Sequence, residues 1–118
     1  MVIYIDIDNT ICSTNSPDYT KSTPIEENIA RANRMYDMGH TIIYWTARGT
    51  VTGIDWSEVT VRQFEEWGVK YDGLKFGKPY YDLFIDDKNM SAEDWAWDGG
   101  CAAHLEMRPA TKTEQLEV

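Results

Sequence analysis

Met1-Val2-Ile3-Tyr4-Ile5-Asp6-Ile7-Asp8-Asn9-Thr10 opens the chain, and its reading decides the fold. The run to Ile7 is β-branched and aromatic without clean alternation, the pattern of a strand covered on both faces. Asp6 and Asp8 end it two residues apart, so their side chains emerge on the same side. Two aspartates on a solvated edge strand would be unremarkable. Here they interrupt an apolar string, where an ionised carboxylate needs a partner to offset its desolvation. A hard divalent cation, which prefers oxygen ligands, is the natural partner.

Working outward, a polar stretch from Cys12 to Thr23 carries the turn signal Asn15-Ser16-Pro17-Asp18. Thr23-Pro24-Ile25-Glu26 has the form of a helix start, with Thr23 as N-cap, Pro24 at the first helical position and Glu26 closing a capping box. Ile25, Ile29, Ala32 and Tyr36 recur on one helical face, and Gly39 is placed to end it. His40 to Thr46 reads as a second buried strand, followed by a loop from Ala47 to Ile54. Asp55-Trp56-Ser57-Glu58 opens another helix with Phe64 and Trp67 on its apolar side and Gly68 at its end. Val69 to Phe76 reads as a short strand interrupted by Gly73. Tyr81 to Ile85 reads as a fourth strand ending in Asp86-Asp87, and Ser91 is placed to cap a last helix carrying Trp95. Strands alternating with helices specify an α/β domain around a parallel sheet with right-handed crossovers. In such sheets ligands bind beyond the carboxyl ends of the strands. The stretch 109–118 has no packing signal and is expected to fray, leaving one domain over 1–108.

Composition narrows the function. The 118 residues carry 11 Lys and Arg against 20 Asp and Glu, a formal charge of −9. That balance disfavours a protein whose task is gripping nucleic acid or an anionic membrane. No apolar run approaches the ~20 residues of a membrane span, and no secretory signal is visible. Cys12 and Cys101 lie in no C-x-x-C pair, so the expectation is a reduced, cytoplasmic protein without a disulfide framework. A cysteine-phosphatase reading fails, because the sixth residue after Cys12 is Asp18 and after Cys101 is Met107, not Arg.

The other chemistry-bearing residues also fall at strand ends. Adjacent carboxylates such as Asp86 and Asp87 repel, and a cation relieves them; the bland alternative is a solvated Asp86-Asp87-Lys88-Asn89 turn. Two acidic pairs at strand ends describe a Mg²⁺ site, since that ion takes one or two carboxylates and keeps waters for a phosphate. Thr46 ends the second strand and, with Arg48, offers donors to an anionic substrate. Lys78, in the turn Gly77-Lys78-Pro79, would add positive charge. Singly, a threonine at a strand end is a turn former and a turn lysine is solvated; together, in a chain of net negative charge, they describe a local phosphate site.

These residues carry a resemblance. Ile5-Asp6-Ile7-Asp8-Asn9-Thr10 is similar to the D-x-D-x-T signature of the haloacid dehalogenase superfamily, with Asn9 where the signature usually has glycine; either residue tolerates a left-handed backbone. Thr46, Lys78 and Asp86-Asp87 match the second, third and fourth motifs in order, so the resemblance covers about residues 2 to 90. Trp45-Thr46-Ala47-Arg48-Gly49, Gly77-Lys78-Pro79 and Ile85-Asp86-Asp87-Lys88 further resemble small phosphatases of capsular polysaccharide biosynthesis. The resemblance implies a three-layer, Rossmann-like fold and a Mg²⁺-dependent phosphate monoester hydrolase acting on a phosphorylated sugar or similar small metabolite. It implies Asp6 as nucleophile, Asp8 as general acid and base, and Mg²⁺ held by Asp6, the backbone carbonyl of Asp8 and Asp86, with Asp87 behind them. Thr46, Arg48, Lys78 and Asn9 would contact the phosphate or substrate. An acid at position 8 favours ester hydrolysis over carbon–halogen or phosphonate cleavage. Neither Cys12–Thr23 nor Ala47–Asp55 is long enough for the cap domain of many relatives, which leaves an open site, or one covered by a second copy of the chain.

Two other readings remain at this level. A polynucleotide-end phosphatase needs few contacts to a free terminus, although the acidic balance disfavours it. A phosphoryl-switch or binding module also uses acids, a threonine and a lysine on a parallel sheet, but places them differently along the chain. Most of the five Trp and seven Tyr are expected in the core and the helix–sheet seams, with Tyr19 a candidate lining of the substrate pocket.

Overall fold

In the computed structural model the residues described are 1–98. Three strands form the main sheet: β1 (Val2–Ile5), β4 (Thr41–Trp45) and β5 (Gly73–Lys75), ordered β1-β4-β5 and all parallel. The pairing runs from Val2 opposite Thr41 to Ile5 opposite Tyr44, and from Ile43 opposite Gly73 to Trp45 opposite Lys75. Helix α1 (Glu26–Asp37) connects β1 to β4 and α2 (Ser57–Trp67) connects β4 to β5. The mixed α/β architecture with a parallel sheet is thus the one expected. β4, the central strand, is buried from Thr41 to Tyr44, which is why its sequence is an unbroken apolar run rather than an alternation.

The core joins Ile5, Ile7 and Ile11 from the start of the chain, Ile29, Ala32 and Met35 from α1, Ile42 and Tyr44 from β4, and Phe64 from α2. Tyr44, Phe64 and Tyr71 meet edge to face, with centroids 5.0 Å apart for Tyr44–Phe64 and for Phe64–Tyr71. Both helices stop where glycine allows it: Gly39 and Gly68 adopt φ of +95° and +67°, left-handed geometry that costs glycine little.

Three local expectations are corrected. Thr23 does not cap α1. Thr23–Pro24 form a short strand, β3, antiparallel to Cys12–Ser13, β2, and Ile25 precedes the helix with no side-chain cap. Backbone pairing with the loop, including Ile25 N–H donating to the Ile11 carbonyl at 2.9 Å, outcompetes the capping box. The third strand of the sheet begins only at Gly73, not at Val69, because Val69 turns inward with its N–H on the Phe64 carbonyl at 3.0 Å. The largest difference is Tyr81–Ile85, which does not join the sheet. The segment is irregular and exposed, with Leu83 and Ile85 75% and 87% accessible.

Helix α3 (Ala92–Asp98) follows, its Asp94 N–H donating to Ser91 Oγ at 3.1 Å as that capping residue implies, and Trp95 is buried in the core. The end of the expected domain, the tail 109–118 and Cys101 lie outside the described residues. Among the described residues no helix is long and apolar enough to cross a membrane.

Candidate active site

The loop after β1 is built to hold two acids in fixed places. Ile7 is fully buried, and its carbonyl accepts from the N–H groups of Thr10 and Ile11 at 3.1 and 2.9 Å. Asn9 closes this turn with φ of +60°, the left-handed conformation that its residue type tolerates. Its Oδ1 accepts from Thr14 N–H at 3.1 Å, and Asn28 of α1 donates to the Thr10 carbonyl at 2.8 Å. The loop is therefore tied both to itself and to the helix behind it.

Asp6 emerges at the carboxyl end of β1 with its side chain 38% accessible, and Lys78 Nζ lies 3.5 Å from its Oδ1. Lys78 reaches this position because its N–H donates to the Thr46 carbonyl at 3.1 Å, pinning the Gly77-Lys78 turn over the end of β4. The ammonium also stands 6.0 Å from the Trp45 ring and 5.4 Å from the Tyr81 ring. Burial pushes the Asp6 carboxyl above its ordinary value; Lys78 pulls it back without cancelling the effect, and Asp8 adds a small upward push. Three motifs from distant parts of the sequence thus share one corner at the strand ends.

Asp8 faces a different environment. Arg48 Nε donates to its Oδ2 at 3.0 Å and Nη2 to its Oδ1 at 2.9 Å, a two-point clamp. Thr14 Oγ1 donates to the same Oδ1 at 2.6 Å and lies 2.8 Å from Ser22 Oγ. Cys12 Sγ, fully buried, is 3.5 Å from that oxygen, and burial raises its thiol pKa. The sequence pattern predicts that Arg48 holds an anionic substrate. Its side chain is instead wholly buried, and its remaining donors go to Thr60 Oγ1 at 3.0 Å, Gln63 Oε1 at 2.6 Å and Cys12 Sγ at 3.8 Å.

Thr46 is buried, and its Oγ1 accepts from the Arg48 N–H at 3.1 Å. Asp86 and Asp87 lie on the exposed segment after Tyr81–Ile85. Asp86 Oδ1 accepts from the Asp87 N–H at 2.7 Å, and hydrogen bonding to the Asp87 side chain, then to this N–H, lowers its pKa. They do not join Asp6 and Asp8, and among the described residues no three Asp, Glu, His or Cys side chains are gathered as a metal site.

Tyr19, a candidate pocket residue by sequence, lies with its ring 4.7 Å from the Arg48 guanidinium carbon and edge-on to Trp56. Thr14, Thr60 and Gln63 are participants that the sequence reading did not single out. Gln63 and Thr60 share the buried face of α2 with Phe64, and polar residues on an otherwise apolar face are the signal that marks a buried polar partner. Beside Arg48 a small cavity of about 170 Å³ is lined by Gly49, Thr50, Ile54, Trp56 and Phe76.

Comparison with known proteins bears on the fold alone. No protein-family model matches the chain, and no curated protein does. Among solved structures, the chain is similar to a crystallised target protein from Vibrio cholerae, with a TM-score of 0.77 and 22% sequence identity over 91% of this chain and 98% of that one. At that identity the likeness is one of architecture, and it extends to nearly the whole of both chains.

Proposed function

We propose that the protein is a Mg²⁺-dependent phosphate monoester hydrolase of the haloacid dehalogenase type, with a Rossmann-like core and no cap domain. The observation that carries this reading is Asp6: a carboxylate with a raised pKa, paired with Lys78 at the carboxyl edge of a parallel sheet. A partly desolvated anion beside a single ammonium is short of positive charge, which suits it to a divalent cation and to a transferring phosphoryl group. Asp6 Oδ attacks phosphorus as the ester P–O bond breaks, and Asp8 gives its proton to the departing oxygen. Asp8 then takes a proton from the water whose oxygen bonds to phosphorus and releases Asp6. Lys78 holds the phosphoryl oxygens, where charge accumulates during transfer, and the buried Thr46 anchors the Lys78 turn through its carbonyl.

Asp6 and the backbone carbonyl of Asp8 would hold Mg²⁺, which when bound neutralises charge on the phosphoryl oxygens. A third ligand, Asp86, requires that Tyr81–Ile85 leave its exposed path. Two features support this. β1 is the edge of the sheet with one side unpaired among the described residues, and the segment exposes apolar side chains whose burial returns roughly 1.5–3 kcal/mol each. On this reading Tyr81–Ile85, irregular and exposed in this structure, moves against the β1 edge when the ion binds and brings Asp86 toward the site. The substrate class is a small phosphorylated metabolite such as a sugar phosphate.

The test is release of inorganic phosphate from 4-nitrophenyl phosphate and a panel of sugar phosphates, with and without Mg²⁺. The expected result is repeated turnover with the ion, none with EDTA, and recovery on adding Mg²⁺ back. Amide hydrogen exchange at 81–87 should slow with Mg²⁺. A chain that takes up one phosphoryl group and keeps it would instead be a switch module, and metal-independent release would contradict the proposed site.

A further inference from the structure

The way Asp8 is held points to a role for Arg48 that differs from binding substrate. A guanidinium has five N–H donors in a rigid fork, and those of Arg48 go to Asp8, Thr60, Gln63 and Cys12. Its side chain has no accessible surface. The fork is itself held in place. Thr60 Oγ1 donates to the Trp56 carbonyl at 2.8 Å, fixing one acceptor on α2. Gln63 Nε2 donates to the Tyr19 carbonyl at 2.6 Å, and the Tyr19 ring covers the guanidinium face. Helix α2 and the loop after β2 therefore jointly orient Arg48, and Arg48 orients Asp8.

The two oxygens of Asp8 are treated unequally. Oδ1 accepts from Arg48 Nη2, from Arg48 Nε at 3.3 Å and from Thr14 Oγ1, with Cys12 Sγ alongside. Oδ2 accepts from Arg48 Nε alone among the bonds at Asp8. One oxygen is saturated by fixed donors and the other retains a free lone pair. We propose that Arg48, seconded by Thr14, is a positioning residue that clamps both oxygens of Asp8 and, with Oδ1 saturated, leaves the remaining lone pair of Oδ2 to exchange a proton with the leaving group and water. The inference rests on the phosphatase reading above and adds to it the machinery that aims the acid.

Proton delivery matters when the leaving group is a poor one, and hardly at all for 4-nitrophenolate. The experiment measures kcat/KM, which reports steps up to departure of the leaving group, for 4-nitrophenyl phosphate and an alkyl phosphate in parallel with Mg²⁺. Arg48→Lys is expected to lower the alkyl phosphate value by about 10²-fold, at the lower end of what a positioned acid contributes, while the 4-nitrophenyl value changes less than about threefold. Thr14→Val, a milder change at the loop, is expected to give the same selective loss on a smaller scale, roughly 3- to 10-fold; it carries the test if Arg48→Lys does not fold. Equal loss on both esters, or loss on neither, overturns the positioning role. A wild-type chain that hydrolyses neither ester overturns the underlying reading as well, a result plainly different from equal loss in the variants.

Discussion

Asp6→Asn is expected to lower Mg²⁺-dependent phosphate release by more than about 10²-fold, since the amide cannot form the covalent intermediate and the remaining groups catalyse only weakly. The same substitution is expected to make the chain more stable. Burial raises the Asp6 pKa above its ordinary value of 3.8, outweighing Lys78, so the folded state holds this proton more tightly than the unfolded state. At pH below 3.8 both states are protonated and the residue costs nothing. As pH rises from there through the raised native value, the ionised group destabilises the fold, and the full cost is present at neutral pH. Without metal, Asp6→Asn should therefore raise Tm at pH 7 and leave it nearly unchanged near pH 3. Loss of activity together with lower stability at pH 7 would mean that Asp6 is structural.

Phe64→Ala has the largest expected effect on stability. The ring is 1% accessible and packs edge-on against both Tyr44 and Tyr71, joining the helix that supports Arg48 to the central strand that leads into Thr46. Truncating a buried phenylalanine costs about 3–5 kcal/mol, and for a domain near this size each kcal/mol lowers Tm by about 4–8 °C. The expected result in thermal denaturation is a fall of about 12 °C or more, with activity retained below the new transition. A change of only a degree or two would show that this aromatic cluster is not the core that positions the site.

Much of this arrangement is legible in the sequence because burial leaves strong local marks. β4 is an unbroken apolar run since both its faces are covered, and the helices end at Gly39 and Gly68 where the chain turns left-handed. The D-x-D loop is legible for a similar reason: a carboxylate inside an apolar string has to be explained. Tyr81–Ile85 marks the limit of such reasoning. Its residues favour a strand, yet pairing depends on which edge is open, and that is a property of the whole sheet. The place of Arg48 is not legible locally because arginine is rarely buried; only the matching polar pair on α2, Thr60 and Gln63, reveals that the interior has a place for it. Thr14 sits in a polar loop where nothing local separates a hydroxyl that touches Asp8 from one that faces water.

The proposal that Asp6 carries a covalent phosphoryl group can be addressed directly. The chain is mixed with a phosphate ester and Mg²⁺, quenched in acid during turnover, digested and mapped by mass spectrometry. A phosphoryl group on the peptide containing Asp6, converted to homoserine at that position by borohydride and absent in Asp6→Asn, is the result expected. Phosphate released at the normal rate with no adduct at Asp6, or with the adduct on another residue, would contradict it.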